Sequence, residues 1–294
     1  MTILKPNAAG RFYPANSKIL ADDVKDYLNE AAIEPSEEPV LAVLSPHAGY
    51  VFSGPIAGYS FRHIQNQSPD TVLAIALAHH GAEGGCVFDG KAFETPLGSV
   101  FIDGDLVSAL LAEGPPIQAD IRPYLGEHSI EVNLPFIQTV FPQAKIATIL
   151  ITRLEPSLCR SIGHKIAGVL RQSSKKILIV VSSDMTHYPP YDDANRIDQA
   201  MLKSMESLKP DVIYKELDRL SSERVKDLHC VMCGSAAMMT AIEAAVELGA
   251  TKAKTLHYRN SGDSPHGERD RVVGYGAFAI YGASSGKPAI EVSP

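Results

Sequence analysis

Five side chains able to bind a metal or carry a proton share one kind of setting in this chain: His47, His79, His80, Asp184 and His187. Each stands just past a run of apolar residues: Val40-Leu-Ala-Val-Leu-Ser45, Thr71–Ala78, or Ile177-Leu-Ile-Val-Val181. Runs of this length and composition read as strands buried on both faces. Open α/β sheets place their ligands beyond the carboxyl ends of such strands. If the three strands are near neighbours in a parallel sheet, the imidazoles and the carboxylate meet on one rim. Two histidines and a carboxylate with open positions form the arrangement of non-haem iron sites, and zinc or copper also accept it. Asp184 and His187 are three residues apart and can face one centre if the loop curls. His79 and His80 point opposite ways on an extended chain, so one of the two serves.

Three further residues could join them. Cys233 precedes Gly234-Ser235 and an Ala/Met-rich stretch, where a helix N-terminus would lower the pKa of its thiol. His128 and Glu131, three apart on an expected helical turn, would face the same rim as orienting groups or as acid and base. Other signals are weaker. Cys230-Val-Met-Cys233 has C-x-x-C spacing, but a zinc ribbon needs two such pairs. Ser182-Ser183 lacks the Gly-x-Ser-x-Gly elbow of a serine hydrolase, and the chain has no Gly-x-x-x-x-Gly-Lys-Ser/Thr phosphate loop. Met232, Met238 and Met239 read as core packing. His63, His257 and His266 read as solvated, while Arg259 and the Ser261-Gly-Asp-Ser264 loop could line a pocket.

Holding these residues requires alternating strands and helices. Asn16 or Ser17 caps a helix over 18–32, and Ser53-Gly54-Pro55 opens another. Short strands are expected before residue 104, then a helix over 105–113. A further helix starts at Glu127, with Pro135 kinking or restarting it. A strand over 145–152 and a helix over 156–171 follow. Residues 192–228 read as helical pieces broken near Pro210 and Ser221. A helix over 236–248 precedes two strands, 254–258 and 272–281. The expectation is a single α/β domain, 1–294, with a central, mainly parallel sheet flanked by helices.

A chain of 294 residues can bury a sizeable core. A net charge of −7 argues against nucleic acid or an anionic membrane as a main partner. No apolar run reaches the roughly 18 residues of a membrane span, and Met1-Thr-Ile-Leu-Lys-Pro6 lacks the apolar core of a signal peptide. Four cysteines in such a length make no disulfide framework. A reduced, cytoplasmic protein is expected.

Several of these segments together resemble the Memo family. They are Gly10-Arg-Phe-Tyr-Pro14, Pro46-His47-Ala48-Gly49-Tyr50 with Ser53-Gly54, and Glu127-His128-Ser129-Ile130-Glu131 with Leu134-Pro135-Phe136. Ser182-Ser183-Asp184 with His187, and Cys233-Gly234, complete the pattern in order. The resemblance covers nearly the whole chain and is nearest the prokaryotic branch, AmmeMemoRadiSam system protein B. It implies a fold similar to the catalytic subunit of class III extradiol non-haem iron dioxygenases. It also implies a pocket lined by His47, His79, Asp184, His187 and Cys233. Ala78 stands where the family usually has Ser before the histidine pair. In the family iron and copper are both proposed as the metal, and the prokaryotic branch is associated with radical-SAM partner proteins. Eukaryotic members act in cell-motility signalling and bind phosphotyrosine peptides.

On that resemblance the expected site holds Fe(II) or Cu on His47, His79 and Cys233, with Asp184, His187 and His128 managing protons. A thiolate is unusual beside dioxygenase chemistry and favours copper or a redox thiol. One alternative is a non-catalytic module binding a peptide, small molecule or partner protein on an inherited fold. Another is a zinc hydrolase.

Overall fold

A computed structural model describes residues 2–282. Its first half contains β1 (Ile3–Leu4), α1 (Ser17–Glu30), β2 (Val40–Ser45), α2 (Tyr50–His63) and β3 (Thr71–Leu77). Next come β4 (Gly85–Val87), β5 (Ala92–Thr95), β6 (Gly98–Phe101), α3 (Gly104–Ala112), β7 (Ile117–Ala119) and α4 (Leu134–Val140). The second half runs β8 (Lys145–Ile151), α5 (Pro156–Gln172), β9 (Ile177–Ser182), α6 (Tyr191–Met205), α7 (Pro210–Ser221) and α8 (Ser235–Glu247). It ends with β10 (Lys252–Asn260) and β11 (Gly274–Tyr281).

An eight-stranded sheet of order β10-β11-β2-β9-β3-β8-β4-β7 forms the centre. Its four middle strands, β2, β9, β3 and β8, are parallel. β11 is antiparallel to β2, and β10 to β11; on the other side β4 runs antiparallel to β8. The parallel strands are the near-continuous apolar runs, as burial on both faces requires. α2 packs on β2, β10 and β11, with α1 and α4 against it. α8 covers β2, β9 and β3 from the other side, flanked by α5 and α7. β1, β5 and β6 make a separate small sheet. No helix among the described residues is long and apolar enough to cross a membrane.

Several expectations need correcting. Ser53-Gly54-Pro55 does not open α2, which begins at Tyr50 and carries Pro55 inside it. The helix expected from Glu127 is absent there; residues 131–133 form a single 3-10 turn, and α4 begins only at Leu134. Pro135 falls in the first turn of α4, where its missing N–H is harmless, instead of interrupting a longer helix. Residues 222–228, expected to be helical, form turns after α7. The expected solvation of His63 also fails. Its Nε2 lies 2.7 Å from the Tyr281 hydroxyl and its ring is buried, while His257 stacks on Tyr59 at 4.0 Å.

The loop after β9 is tied down by one buried acid. Asp198 of α6, fully buried, accepts hydrogen bonds from Thr186 N and Oγ1 at 3.0 and 2.9 Å and from the Tyr258 hydroxyl at 2.7 Å. Burial raises its pKa to about 7, with these donors acting in the opposite direction. A folded pKa above the unfolded one gives stability that is fully present below about pH 4 and is lost as pH rises through about 7. The stability difference between wild type and Asp198→Asn should therefore fall by on the order of 4 kcal/mol across that window. Urea unfolding of both proteins at several pH values measures it, and a difference independent of pH would contradict the assignment.

Candidate metal centre

Strand register brings the chemistry together. Ser45 of β2 and Ala76 of β3 both lie level with Ser182 of β9, the strand between them. His47 and Asp184 follow their level residues by two positions and His79 by three, so all three emerge on one rim. The His47 backbone N–H donates to Asp184 Oδ1 at 2.8 Å. His128 arrives from the loop before α4, its ring stacked on His79 at 4.6 Å between centroids. The His47 ring stands 5.6 Å from both and nearly perpendicular to them.

Two groups of metal-binding atoms result, each lying within 4.8 Å of one another: His47, His79 and His128, and His47, Asp184 and Cys233. His47 belongs to both. Cys233 Sγ lies 3.4 Å from His47 Nε2 and 3.3 Å from the Asp184 backbone nitrogen.

The hydrogen-bond network assigns the tautomers. Ser182 Oγ donates its only proton to the Ser129 carbonyl and accepts from Asn133 Nδ2 at 2.8 Å. Its remaining capacity is as an acceptor, so His47 Nδ1, 2.9 Å away, is the N–H donor. The lone pair of neutral His47 is then on Nε2, toward Cys233. At His79, Nδ1 faces Glu127 Oε1 at 2.8 Å, and a carboxylate only accepts. Neutral His79 likewise keeps its lone pair on Nε2. Asn133 is fixed in turn, because its Oδ1 accepts from Ser45 Oγ at 2.6 Å.

Glu127 is the pivot of the histidine pair. It accepts from the backbone nitrogens of His79, His128 and Ser129 at 2.6, 2.7 and 2.9 Å, besides His79 Nδ1. Burial pushes its pKa up, but the His79 hydrogen bond and charge and the backbone donors prevail and hold it at about 2. Burial pulls His79 down, yet the Glu127 hydrogen bond and charge leave its pKa raised. Burial lowers His47, and burial with the neighbouring imidazoles takes His128 down to about 4. At neutral pH His47 and His128 are therefore unprotonated, as metal ligands must be.

Several sequence expectations meet a definite placement. His79, itself exposed, turns into the cluster, whereas His80 belongs to neither group of ligand atoms. Asp184 and Cys233 sit against His47, and His128 against both His47 and His79. His187 lies outside both groups, its Nδ1 3.0 Å from the Met185 carbonyl and 3.5 Å from Cys230 Sγ. Glu131 faces away from the site. Its carboxylate accepts from Asn7 N at 2.7 Å, Ala8 N at 2.8 Å and the Tyr13 hydroxyl, anchoring the N-terminal segment. The Cys233 thiol is pushed up rather than lowered, because burial and then the Asp184 charge outweigh its place before α8. Sequence reading missed Glu127, Ser182 and Asn133 as orienting groups. Adjacency of Glu127 to His128 was the available signal for the first.

Removing the Glu127 charge leaves burial as the dominant influence on His79. In metal-free Glu127→Gln the His79 pKa should drop from above to below the ordinary histidine value. An NMR titration of the imidazole resonances measures this, and an unchanged His79 pKa would contradict the role given to Glu127.

Comparison with known proteins agrees with the fold. The chain is 35% identical over 278 residues to a MEMO1 family protein of Aquifex aeolicus, covering 94% of this chain and 98% of that one. It is 30% identical over 282 residues to a MEMO1 family protein of Methanothermobacter thermautotrophicus, covering 93% and 98%. The crystal structure of an uncharacterized protein from Escherichia coli K12 superposes with a TM-score of 0.52 at 11% identity, covering 81% of this chain and 98% of that one. That last likeness concerns the fold alone. The family model described as "Memo-like protein" matches residues 5–279, and the chain belongs to the Memo family.

Proposed function

We propose that the protein is a metal-dependent redox protein with a dioxygenase-like cleft, holding Fe(II) or Cu on His47, His79 and Cys233. One observation carries the reading: His47 and His79 each have Nδ1 tied to an acceptor, leaving Nε2 with the lone pair inside one cluster. That is how proteins orient metal-binding imidazoles, through a partner on the other ring nitrogen. The set takes His79 from one group of ligand atoms and Cys233 from the other, with His47 common to both. Two neutral nitrogens and one sulfur suit copper and iron, and the nearby cation would deprotonate the otherwise raised Cys233 thiol.

When bound, the metal would supply Lewis acidity and one-electron chemistry to whatever occupies its open positions. The chain's own groups do the rest. Asp184 holds the His47 backbone and places a carboxylate beside the Cys233 sulfur, where it can take up the thiol proton. His128, neutral at rest, is placed to receive a proton from a bound ligand. His187, outside both groups and held by the Met185 carbonyl, is the proposed second proton carrier.

His128 also gives a second reading of the ligand set, with three imidazoles and Cys233 left as a redox thiol, because its ligand atom joins those of His47 and His79. Both readings require His47. Untagged protein purified without oxygen should carry about one metal ion per chain and His47→Ala almost none, measured by mass spectrometry of total metal. Loss of metal in Cys233→Ser but not in His128→Ala selects the thiolate set. Full metal content in His47→Ala would overturn the proposal.

A further inference from the structure

His128 of the cluster and His187 just outside it share an arrangement that the metal reading leaves unused. Each packs against an aromatic ring that carries an arginine. Phe12 lies 4.3 Å from the His128 ring, and the Arg11 guanidinium sits over Phe12 at 5.7 Å. Tyr188 stands 5.6 Å from the His187 ring, and the Arg271 guanidinium sits over Tyr188 at 4.8 Å. Both arginines are exposed. Neither makes a salt bridge or a side-chain hydrogen bond among the described residues, a condition shared with Arg153, Arg224, Arg259 and Arg269, while Arg122, Arg160, Arg171, Arg196 and Arg219 pair with carboxylates. What sets Arg11 and Arg271 apart is that the ring beneath each one packs on a histidine beside the metal-binding cluster.

Tyr188 is held at some expense. Its φ of 71° lies in the left-handed region, which is unfavourable for a bulky residue. Two backbone hydrogen bonds lock it there: Tyr188 N to the Val272 carbonyl at 2.6 Å, and Val272 N to the Pro189 carbonyl at 3.0 Å. The same pairing sets Arg271, one residue before Val272, beside Tyr188. His229 closes the edge of the ring at 4.9 Å. A guanidinium flattened on an aromatic face keeps its N–H fork free for a carboxylate.

We infer that the mouth of this site receives a carboxylate-bearing small molecule, its anionic group taken by Arg271 and steered in by Arg11. The inference deepens the proposed metal function and rests on it for the statement that this ligand is the substrate. In a chain of net charge −7, unpaired arginines backing two site histidines make a local attraction for anions against a repelling background. The buried carboxylates of Asp184 and Glu127 stand behind the imidazoles and disfavour a dianion more than a monoanion.

Benzoate and its neutral isostere benzamide test this by isothermal titration of wild type, Arg271→Gln, Arg271→Lys and Arg11→Gln, with metal content measured on the same samples. Wild type should bind benzoate at least ~10-fold more tightly than benzamide. Arg271→Gln should lose most of that ratio and Arg271→Lys should keep part of it. Arg11→Gln should lose less of the ratio and show a weaker dependence on salt. No saturable benzoate binding, equal binding of the two probes, an intact preference in Arg271→Gln, or phenyl phosphate binding more tightly than benzoate would each overturn the inference. Benzoate preference in a protein without metal would overturn the metal reading alone. Metal without benzoate preference would overturn only this inference.

Discussion

A buried strand can end in polar residues only if neighbouring groups satisfy their hydrogen bonds, and at the rim of β2, β9 and β3 that requirement shapes the whole site. Ser182 sits at the meeting point, spending its proton on Ser129 and its lone pairs on Asn133 and His47. This saturated hydroxyl fixes the His47 ring and, with it, which nitrogen faces Cys233. The level ends of three parallel strands then bring Asp184 and His79 alongside. Without the parallel register these residues would be separate polar strand ends.

Buried acids give the region its electrostatic logic, and each is discharged differently. Glu127 stays ionised because three backbone N–H groups and the His79 imidazole surround it. Glu131 instead holds the N-terminal segment through two backbone N–H groups and the Tyr13 hydroxyl, and that segment carries Phe12 onto His128. Asp198, with only three donors and complete burial, is driven toward the neutral form. Of the imidazoles held among these carboxylates His47 and His128 are neutral, and a neutral, oriented imidazole is a ligand rather than a cation.

Much of this was legible in the sequence, for identifiable reasons. Val40–Ser45, Thr71–Leu77 and Ile177–Ser182 announce buried parallel strands because no solvent face interrupts their apolar runs. His47, His79 and Asp184 stand out because polar residues follow those runs at once. Strand order could not be read, since nothing local says that β9 lies between β2 and β3. Helical phasing pointed to Glu131 beside His128 and so to the wrong glutamate, because the helix does not start until Leu134. The parts of Ser182 and Asn133 depend on contacts spanning dozens of residues, which spacing does not encode. The raised Cys233 pKa likewise follows from burial and from Asp184, neither visible beside a C-x-x-C pattern.

The most direct test of the account is an anomalous difference map from crystals of the protein loaded anaerobically with Fe(II) or Cu(I), collected at the absorption edge of the metal. The account predicts one strong peak within bonding distance of His47 Nε2 and His79 Nε2, with Cys233 Sγ as the third ligand. A peak elsewhere on the chain, or none at this rim under stoichiometric loading, would contradict it.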